Sequence, residues 1–390
     1  MFRLTYGALA LTSLVLAACS SDGSDGVSSG GGASGVSGAP SHGGAANGSS
    51  GAGPSTPPGS EPTPMPIISH GVPIFATNGA MNAVASDAND GKPTTRWSSA
   101  ALPASLALDL SGVPADKRHQ VLIAWTSGSL LAYINAPPGP DMHLPSDYLL
   151  EINSGAGGGS PPADGWVTVA TITGNDRSTR QRLVDLDGGN WVRMTVTRSS
   201  HPQIAEIELD VHSAPEGATD SWLFMGDSIT FLSTTYLFSD LPALVNADAA
   251  DRWPAIAPAA IGGTNTTTAM AALQDTLLDF PGRFVTLNYG TNDHANDYHA
   301  EELAQTVIAA GKVPVIPHMP WSADANVQVQ GPLINAQIDA LYAKYPEIRR
   351  GPDLWAALEN HAEWIPMGDV HPTDAGREEI RKQWASSMTR

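Results

Sequence analysis

Apolar positions change their spacing once along this chain, near residue 215. Between residues 67 and 211 they alternate with polar positions in short runs separated by turn clusters: 106–110, 121–125, 148–152, 166–172, 191–196 and 204–211. A period of two with β-branched and aromatic enrichment predicts half-buried strands, and no convincing helical stretch intervenes. Six such strands in succession predict an all-β sandwich. From about residue 220, apolar runs of strand length (222–225, 284–288, 312–317) alternate with helical patterns at 268–278, 301–310, 333–345 and 373–388. That alternation predicts an α/β domain in three layers, a mostly parallel sheet with helices on both faces.

The N-terminal 66 residues fit neither pattern. Met1, Phe2 and Arg3 precede an apolar segment, 4–18, too short for an ordinary membrane span and ending in Leu16, Ala17, Ala18 and Cys19. It reads as a signal peptide. Cys19 is the only cysteine in the chain, so no intramolecular disulfide can form and the domains rest on their cores. Residues 20–66 are mostly Gly, Ser, Ala and Pro, a composition with too little apolar surface to offset its ordering entropy. They are expected to be a disordered tether, with a reach on the order of 35–40 Å. The resulting division is 1–19 signal and modified cysteine, 20–66 tether, 67–215 sandwich and 216–390 α/β domain. The 1–19 segment resembles a bacterial lipoprotein signal, which implies lipidation at Cys19 and an exported protein anchored in the cell envelope, at the outer membrane or cell surface.

Formal net charge is −19, from 39 acidic and 20 basic residues, with no Lys/Arg-rich run. This argues against nucleic acid and against electrostatic docking on anionic lipid. The membrane would be reached through the lipid alone, and a monomer is expected.

Candidate chemistry lies just after the predicted strands, where open α/β sheets assemble their sites. The run 222–225 breaks at Gly226-Asp227-Ser228. A glycine turn there places a serine hydroxyl at the N-terminus of a helix, where free N–H groups stabilise developing negative charge. Gly262-Gly263 precede the 268–278 helix, Gly290-Thr291-Asn292-Asp293 follow the next strand, and Asp369-Val370-His371-Pro372 lie near the C-terminus. Acyl transfer needs a nucleophile, a base and donors aimed at an oxyanion. Ser228 can attack, His371 can relay its proton, and Asn292 can donate through an uncharged amide. Together these four blocks, in this order, resemble the signature blocks of the SGNH (GDSL-type) hydrolases from about residue 220 to the end. The resemblance implies a flavodoxin-like fold, catalysis by Ser228 and His371, and an oxyanion hole from the Ser228 and Gly263 N–H groups and the Asn292 side chain. Asp227 and Asp293 are expected to shape loops. One departure matters: the family's acid lies three residues before the histidine, where this chain has Gly368, and Asp369 stands two before it. Asp369 completes a triad only if the loop is shaped differently. His294, His318 and Trp321 also follow strands, and packing or surface roles are expected of them. Neither zinc-ligand spacing nor a phosphate-binding glycine loop with its lysine is present, so catalysis without a cofactor is expected.

The sandwich resembles a discoidin-like (coagulation factor C-type, galactose-binding-like) jelly roll, a family that includes many carbohydrate-binding modules. The resemblance rests on residues 82–98, with Asn89-Asp90-Gly91-Lys92 and Trp97, on Asp164-Gly165-Trp166, and on 191–194 and 204–209. It implies a structural calcium, with Asp90, Thr95 and Glu206 as its oxygen ligands here; capping of turns is the competing reading of the same three. Trp97, Trp125 and Trp166 are expected to be core, and no ligand is assigned to them.

The function expected from the sequence is an exported serine esterase that removes a short acyl group, acetyl above all, from an acylated carbohydrate or other small ester. The rivals are an O-acetyltransferase or a lipid or aryl esterase on the same site, and a non-catalytic carbohydrate-binding surface lipoprotein.

Overall fold

A computed structural model describes residues 61–92, 95–127, 143–200, 205–235, 240–366 and 368–390. The expected signal peptide, Cys19 and the tether up to residue 60 lie outside the described residues.

Among the described residues, nine strands make the sandwich: β1 Ile74–Ala76, β2 Trp97–Ser98, β3 Ala104–Asp109, β4 Gln120–Thr126, β5 Pro145–Asn153, β6 Val167–Ile172, β7 Thr179–Asp185, β8 Trp191–Ser199 and β9 Glu206–Ser213. They form two antiparallel sheets, ordered β1-β3-β8-β5-β6 and β2-β9-β4-β7. The alternation read from the sequence sends Leu106 and Leu108 from β3, Met194 and Val196 from β8, and Ile207 and Leu209 from β9 into one shared core. Trp97 and Trp125 are buried in it, and the Trp125 indole N–H donates to the Tyr148 hydroxyl at 3.1 Å. Trp166 differs from expectation. It is only half-buried at the surface, its ring covered by the Arg193 guanidinium at 3.9 Å.

Strand β7, Thr-Arg-Gln-Arg-Leu-Val-Asp, escapes a reading by apolar period because its two apolar residues, Leu183 and Val184, are adjacent and Arg180 and Arg182 stand opposite the inward Trp125 and Ile123. The structure gives the reason. Part of the outer face of the β2-β9-β4-β7 sheet packs on the second domain, while Leu183 on that face stays exposed. Leu122 leaves the sandwich core and packs with Met65, Ala214 and Ala255, a burial contributing roughly 1.5–3 kcal/mol for such a side chain. Residues 61–66, assigned by composition to the tether, lie in this seam. Thr63 N–H donates to the Thr219 hydroxyl at 2.8 Å, the Pro66 carbonyl accepts from Ser213 N–H at 2.8 Å, and Met65 is buried. Proline fills half of 61–66, yet the buried Met65 and the backbone bonds at Thr63 and Pro66 fix the segment.

Among the described residues, the second domain has five parallel strands: β10 Ser221–Gly226, β11 Ala255–Pro258, β12 Phe284–Asn288, β13 Val313–His318 and β14 Arg349–Asp353. Their order, β11-β10-β12-β13-β14, reverses direction between β10 and β12. Such a switch point opens a crevice at the carboxyl ends of the two strands. Strand β10 is buried on both faces, with Trp222 and Phe224 in one core and Leu223 and Met225 in the other. Helices α3 (Thr266–Asp279), α4 (Ala300–Ala309) and α5 (Ala325–Lys344) cover the Leu223 face; α2 (Leu241–Asp248), α6 (Leu354–Leu358) and α7 (Asp374–Met388) cover the Trp222 face. A short turn, α1 (Ser228–Thr230), follows β10. Helix α5 starts eight residues before the predicted 333–345, because Asp324 caps it and Pro332 lies inside it rather than ending it. Helix α2 and strand β14 were not apparent in the sequence: the first is eight residues long, and the second reads Arg-Arg-Gly-Pro-Asp.

Candidate active site

Strand β10 delivers Ser228 to the switch point. Gly226 ends the strand where a Cβ would lie 2.7 Å from the Asn288 carbonyl oxygen and closer still to the Thr230 hydroxyl, so only glycine allows the chain to turn there. Asp227 caps the turn, its Oδ1 accepting from Ile229 N–H at 2.9 Å. Ser228 is therefore the first residue of a helical turn and its own N–H lacks an intrahelical acceptor. Burial pushes the Asp227 carboxyl up to about 7, against the pull of the Ile229 and Thr230 N–H groups, with Asp293 adding to the rise. Asp227 faces the turn's backbone and shapes the loop.

The C-terminal loop brings the base. His371 Nε2 lies 2.9 Å from Ser228 Oγ, and His371 Nδ1 lies 2.6 Å from Asp369 Oδ1. The same Asp369 oxygen accepts from Val370 N–H at 2.7 Å and His371 N–H at 3.0 Å. Burial works to raise the Asp369 carboxyl, but the backbone N–H and the imidazole of His371 outweigh it and hold it below its ordinary value. Gly368 answers why the acid can stand two residues before the histidine. Its φ is +77°, the left-handed region that favours glycine. The turn closes with Asp369 N–H donating to the Pro366 carbonyl at 3.1 Å. This curl lets the carboxylate fold back over its own two following N–H groups and meet the ring.

Across the crevice, the loop after β12 supplies Asn292, which is exposed and donates one amide hydrogen to the Thr264 carbonyl at 3.0 Å. Its second amide hydrogen is uncommitted by that bond. Gly263, exposed, sits in the loop before α3, one residue from Thr264. Asp293 locks the two loops together, its Oδ1 accepting from Thr266 N–H at 3.0 Å and also from the Thr266 hydroxyl. The structure thus brings Ser228, His371 and Asp369 into one hydrogen-bonded chain and ties the Asn292 loop to the Gly263 loop. A serine hydroxyl so held can give its proton to the imidazole as it attacks a carbonyl, while the carboxylate keeps the tautomer and the ring's orientation.

Of the other residues that follow strands, His318 is engaged by Asp339 and Asp353 at 3.3 and 3.2 Å, Trp321 packs against the Trp222-side core, and His294 is exposed ahead of a short 3-10 turn. Ser322 was not apparent in the sequence. It is buried, and its hydroxyl donates to the Asp369 carbonyl oxygen at 3.1 Å while accepting from Asp324 N–H at 3.1 Å. The Ser-x-Asp ahead of α5 signals only a capping turn, and its hold on the distant Asp369 loop comes from the fold.

In the sandwich, Asp90 and Thr95 share one loop: the Thr95 hydroxyl donates to both Asp90 oxygens at 2.9 Å, and Lys92 N–H donates to Oδ1 at 2.9 Å. Glu206 is turned to His143 Nδ1 at 3.1 Å. One strand step on, burial pushes Glu208 up to about 8, with Asp210 and Asp90 adding to the rise. Hard oxygen donors beside surplus acidic charge fit calcium in kind. No group of three or more His, Cys, Asp or Glu side chains gathers as a metal cluster among the described residues.

Residues 224–378 match the model of the GDSL-like lipase/acylhydrolase family. Among curated proteins, none matches the chain. Among solved structures, the chain is similar to the family 32 carbohydrate-binding module of NanJ from C. perfringens, solved with galactose, at 21% identity over 38% of this chain and 98% of that one, with a TM-score of 0.28. It is similar to chitosan-binding module 1 of a chitosanase/glucanase from Paenibacillus sp. IK-5, at 21% identity over 37% and 97%, with a TM-score of 0.28. It is also similar to Axe2, an acetylxylan esterase from Geobacillus stearothermophilus, at 16% identity over 44% and 94%, with a TM-score of 0.36. Behind its β-sandwich, this chain therefore carries a GDSL-like lipase/acylhydrolase domain, that of a carboxylic ester hydrolase.

Proposed function

We propose that the chain is an exported serine esterase that removes short acyl groups, acetyl above all, from acylated carbohydrate. The observation that carries this reading is the chain Ser228 Oγ–His371 Nε2–His371 Nδ1–Asp369 Oδ1, at 2.9 and 2.6 Å. In the proposed mechanism Ser228 attacks the ester carbonyl and His371 takes its proton. The tetrahedral oxyanion is met by the Ser228 and Gly263 N–H groups and the free amide hydrogen of Asn292. His371 then protonates the leaving alkoxide, and water, activated by the same imidazole, releases the acid from Ser228. Carbohydrate is proposed because a jelly-roll sandwich precedes the hydrolase domain and shares a buried seam with it. Calcium is proposed to join Asp90, Thr95 and Glu206 in that sandwich, away from the reaction. Lipidation at Cys19 is proposed to anchor the protein in the envelope. Fatty-acid labelling of the intact protein that persists in Cys19→Ser would refute the anchor.

The test of the central reading is hydrolysis of p-nitrophenyl acetate and of acetylated oligosaccharides beside Ser228→Ala. Turnover that vanishes in the variant supports it. A wild-type rate no greater than that of Ser228→Ala on both substrates overturns it and leaves a carbohydrate-binding role.

A further inference from the structure

A cavity of about 480 Å³ lies where the sandwich meets the hydrolase domain. That is within the range of roughly 300–1,000 Å³ typical of small-molecule sites. One wall is the start of β7 and the turn before it; the other is β11, the loop after it and α3. Two polar groups on the β7 wall are unspent. Thr179 and Gln181 are 7% and 5% exposed, and Thr179 Oγ1 and Gln181 Nε2 have no hydrogen-bond partner among the described residues. The Gln181 amide is held in place by its other end, where Oε1 accepts from the Ser221 hydroxyl at 2.5 Å. Buried polar atoms are ordinarily satisfied, and these two belong to residues of one cavity wall, where a small turn of either side chain lets a ligand in the cavity bond it.

The rest of the lining defines that ligand's chemistry. Leu223, Phe231, Ala257 and Phe280 contribute apolar surface. The charged rim carries Asp176, Asp275 and Asp279 against Arg177 and Arg180, and Asp279 already engages both arginines. Carboxylates outnumber guanidinium groups and the guanidinium groups are spoken for, so an anion finds no anchor. A neutral ring with apolar faces and several hydroxyls suits this lining; that is a sugar unit.

Two lining residues stand close in the chain to the reaction site. Phe231 follows Ser228 by one helical turn, and Ile261, which lines the cavity, stands two residues before Gly263. Two residues of chain span at most roughly 7 Å. We infer that this cavity is a glycan subsite built by both domains, holding a neutral sugar unit of the chain whose ester Ser228 attacks. The sandwich edge strand β7 thereby takes part in choosing the substrate. The inference rests on the esterase reading above for its link to Ser228, while its binding claim is independent of that reading.

The test uses the full chain and two variants: Ala272→Trp, which fills the cavity from an exposed position on α3, and Gln181→Leu, which removes the unpaired amide. Calorimetry with xylohexaose, cellohexaose and mannohexaose measures binding, and thermal unfolding checks that the variants fold. At least one hexaose is expected to bind the wild type and to bind both folded variants at least tenfold more weakly. With chemically acetylated hexaose, the ratio of its kcat/KM to that of p-nitrophenyl acetate is expected to fall at least tenfold, through KM. No binding by the wild type, or binding unchanged in both variants, overturns the subsite. So does a loss confined to p-nitrophenyl octanoate, which would reassign the cavity to an acyl chain. An inactive wild type that still binds hexaose in a cavity-dependent way sinks the esterase reading and leaves the subsite standing.

Discussion

Replacing Asp369 by Asn removes a charge and little else. Asp369 Oδ1 accepts from Val370 N–H at 2.7 Å, His371 N–H at 3.0 Å and His371 Nδ1 at 2.6 Å. An amide oxygen can keep the two backbone donors, so the loop survives. What disappears is the negative charge facing the imidazolium that forms as Ser228 is deprotonated. Two unit charges about 4 Å apart near a protein surface interact by about 4 kcal/mol. The Asp369 side chain is 42% exposed, so solvent screens part of this. About 3 kcal/mol remains, and at about 1.4 kcal/mol per decade kcat should fall by about 100-fold. That is shallower than the roughly 10⁴-fold loss when a buried triad carboxylate is made an amide. KM for p-nitrophenyl acetate should stay within about twofold, since the mechanism places Asp369 against the base and not the substrate. Initial rates of the full chain on p-nitrophenyl acetate, with thermal unfolding as a control for the fold, measure both quantities. A loss below about fivefold would show that the carboxylate does not support the imidazole. A loss as deep as that of Ser228→Ala, with the fold intact, would show that the solvent-screened estimate is wrong.

The other predictions address the remaining parts of the site and the sandwich. Asn292→Ala should lower kcat on p-nitrophenyl acetate by about 10²–10³-fold, the usual effect of deleting one oxyanion donor; an unchanged kcat would remove Asn292 from the mechanism. Asp227 has its carboxyl raised to about 7 from an ordinary 3.8. The folded state therefore holds the proton more tightly, and stability should decline as pH rises from about 4 to 7. The full shift corresponds to about 4 kcal/mol as an upper bound. Asp227→Asn should flatten that decline in denaturant titrations at pH 4, 5.5 and 8, and parallel curves for variant and wild type would contradict the assignment. Calcium should raise the melting temperature by a few degrees and a chelator should reverse it; Asp90→Asn should abolish the response, and equal melting temperatures with and without calcium would rule the site out.

Much of this molecule follows from local sequence. The period of two in the first half and the alternation of strand and helix in the second are properties of neighbouring residues, so β6, β12 and α3 were legible within a residue or two. The serine turn was legible as well, because Gly226, Asp227 and Ser228 each act within three residues of one another. Strand β7 and the ordered segment at 61–66 were hidden, since what stabilises them is the other domain: Ser221 against Gln181, Asp279 against Arg180, and Met65 in the seam. The acid was the sharpest case. Sequence spacing placed Asp369 one position away from the expected one and left its part undecided. Only the left-handed Gly368, the Pro366 turn and the Ser322 hydroxyl on the Asp369 carbonyl decide where that carboxylate points. A side chain's identity is a local fact and its direction is a tertiary one. The residue types of this site were therefore written in the chain, while their convergence over 143 positions between Ser228 and His371 came from the order in which five parallel strands pack.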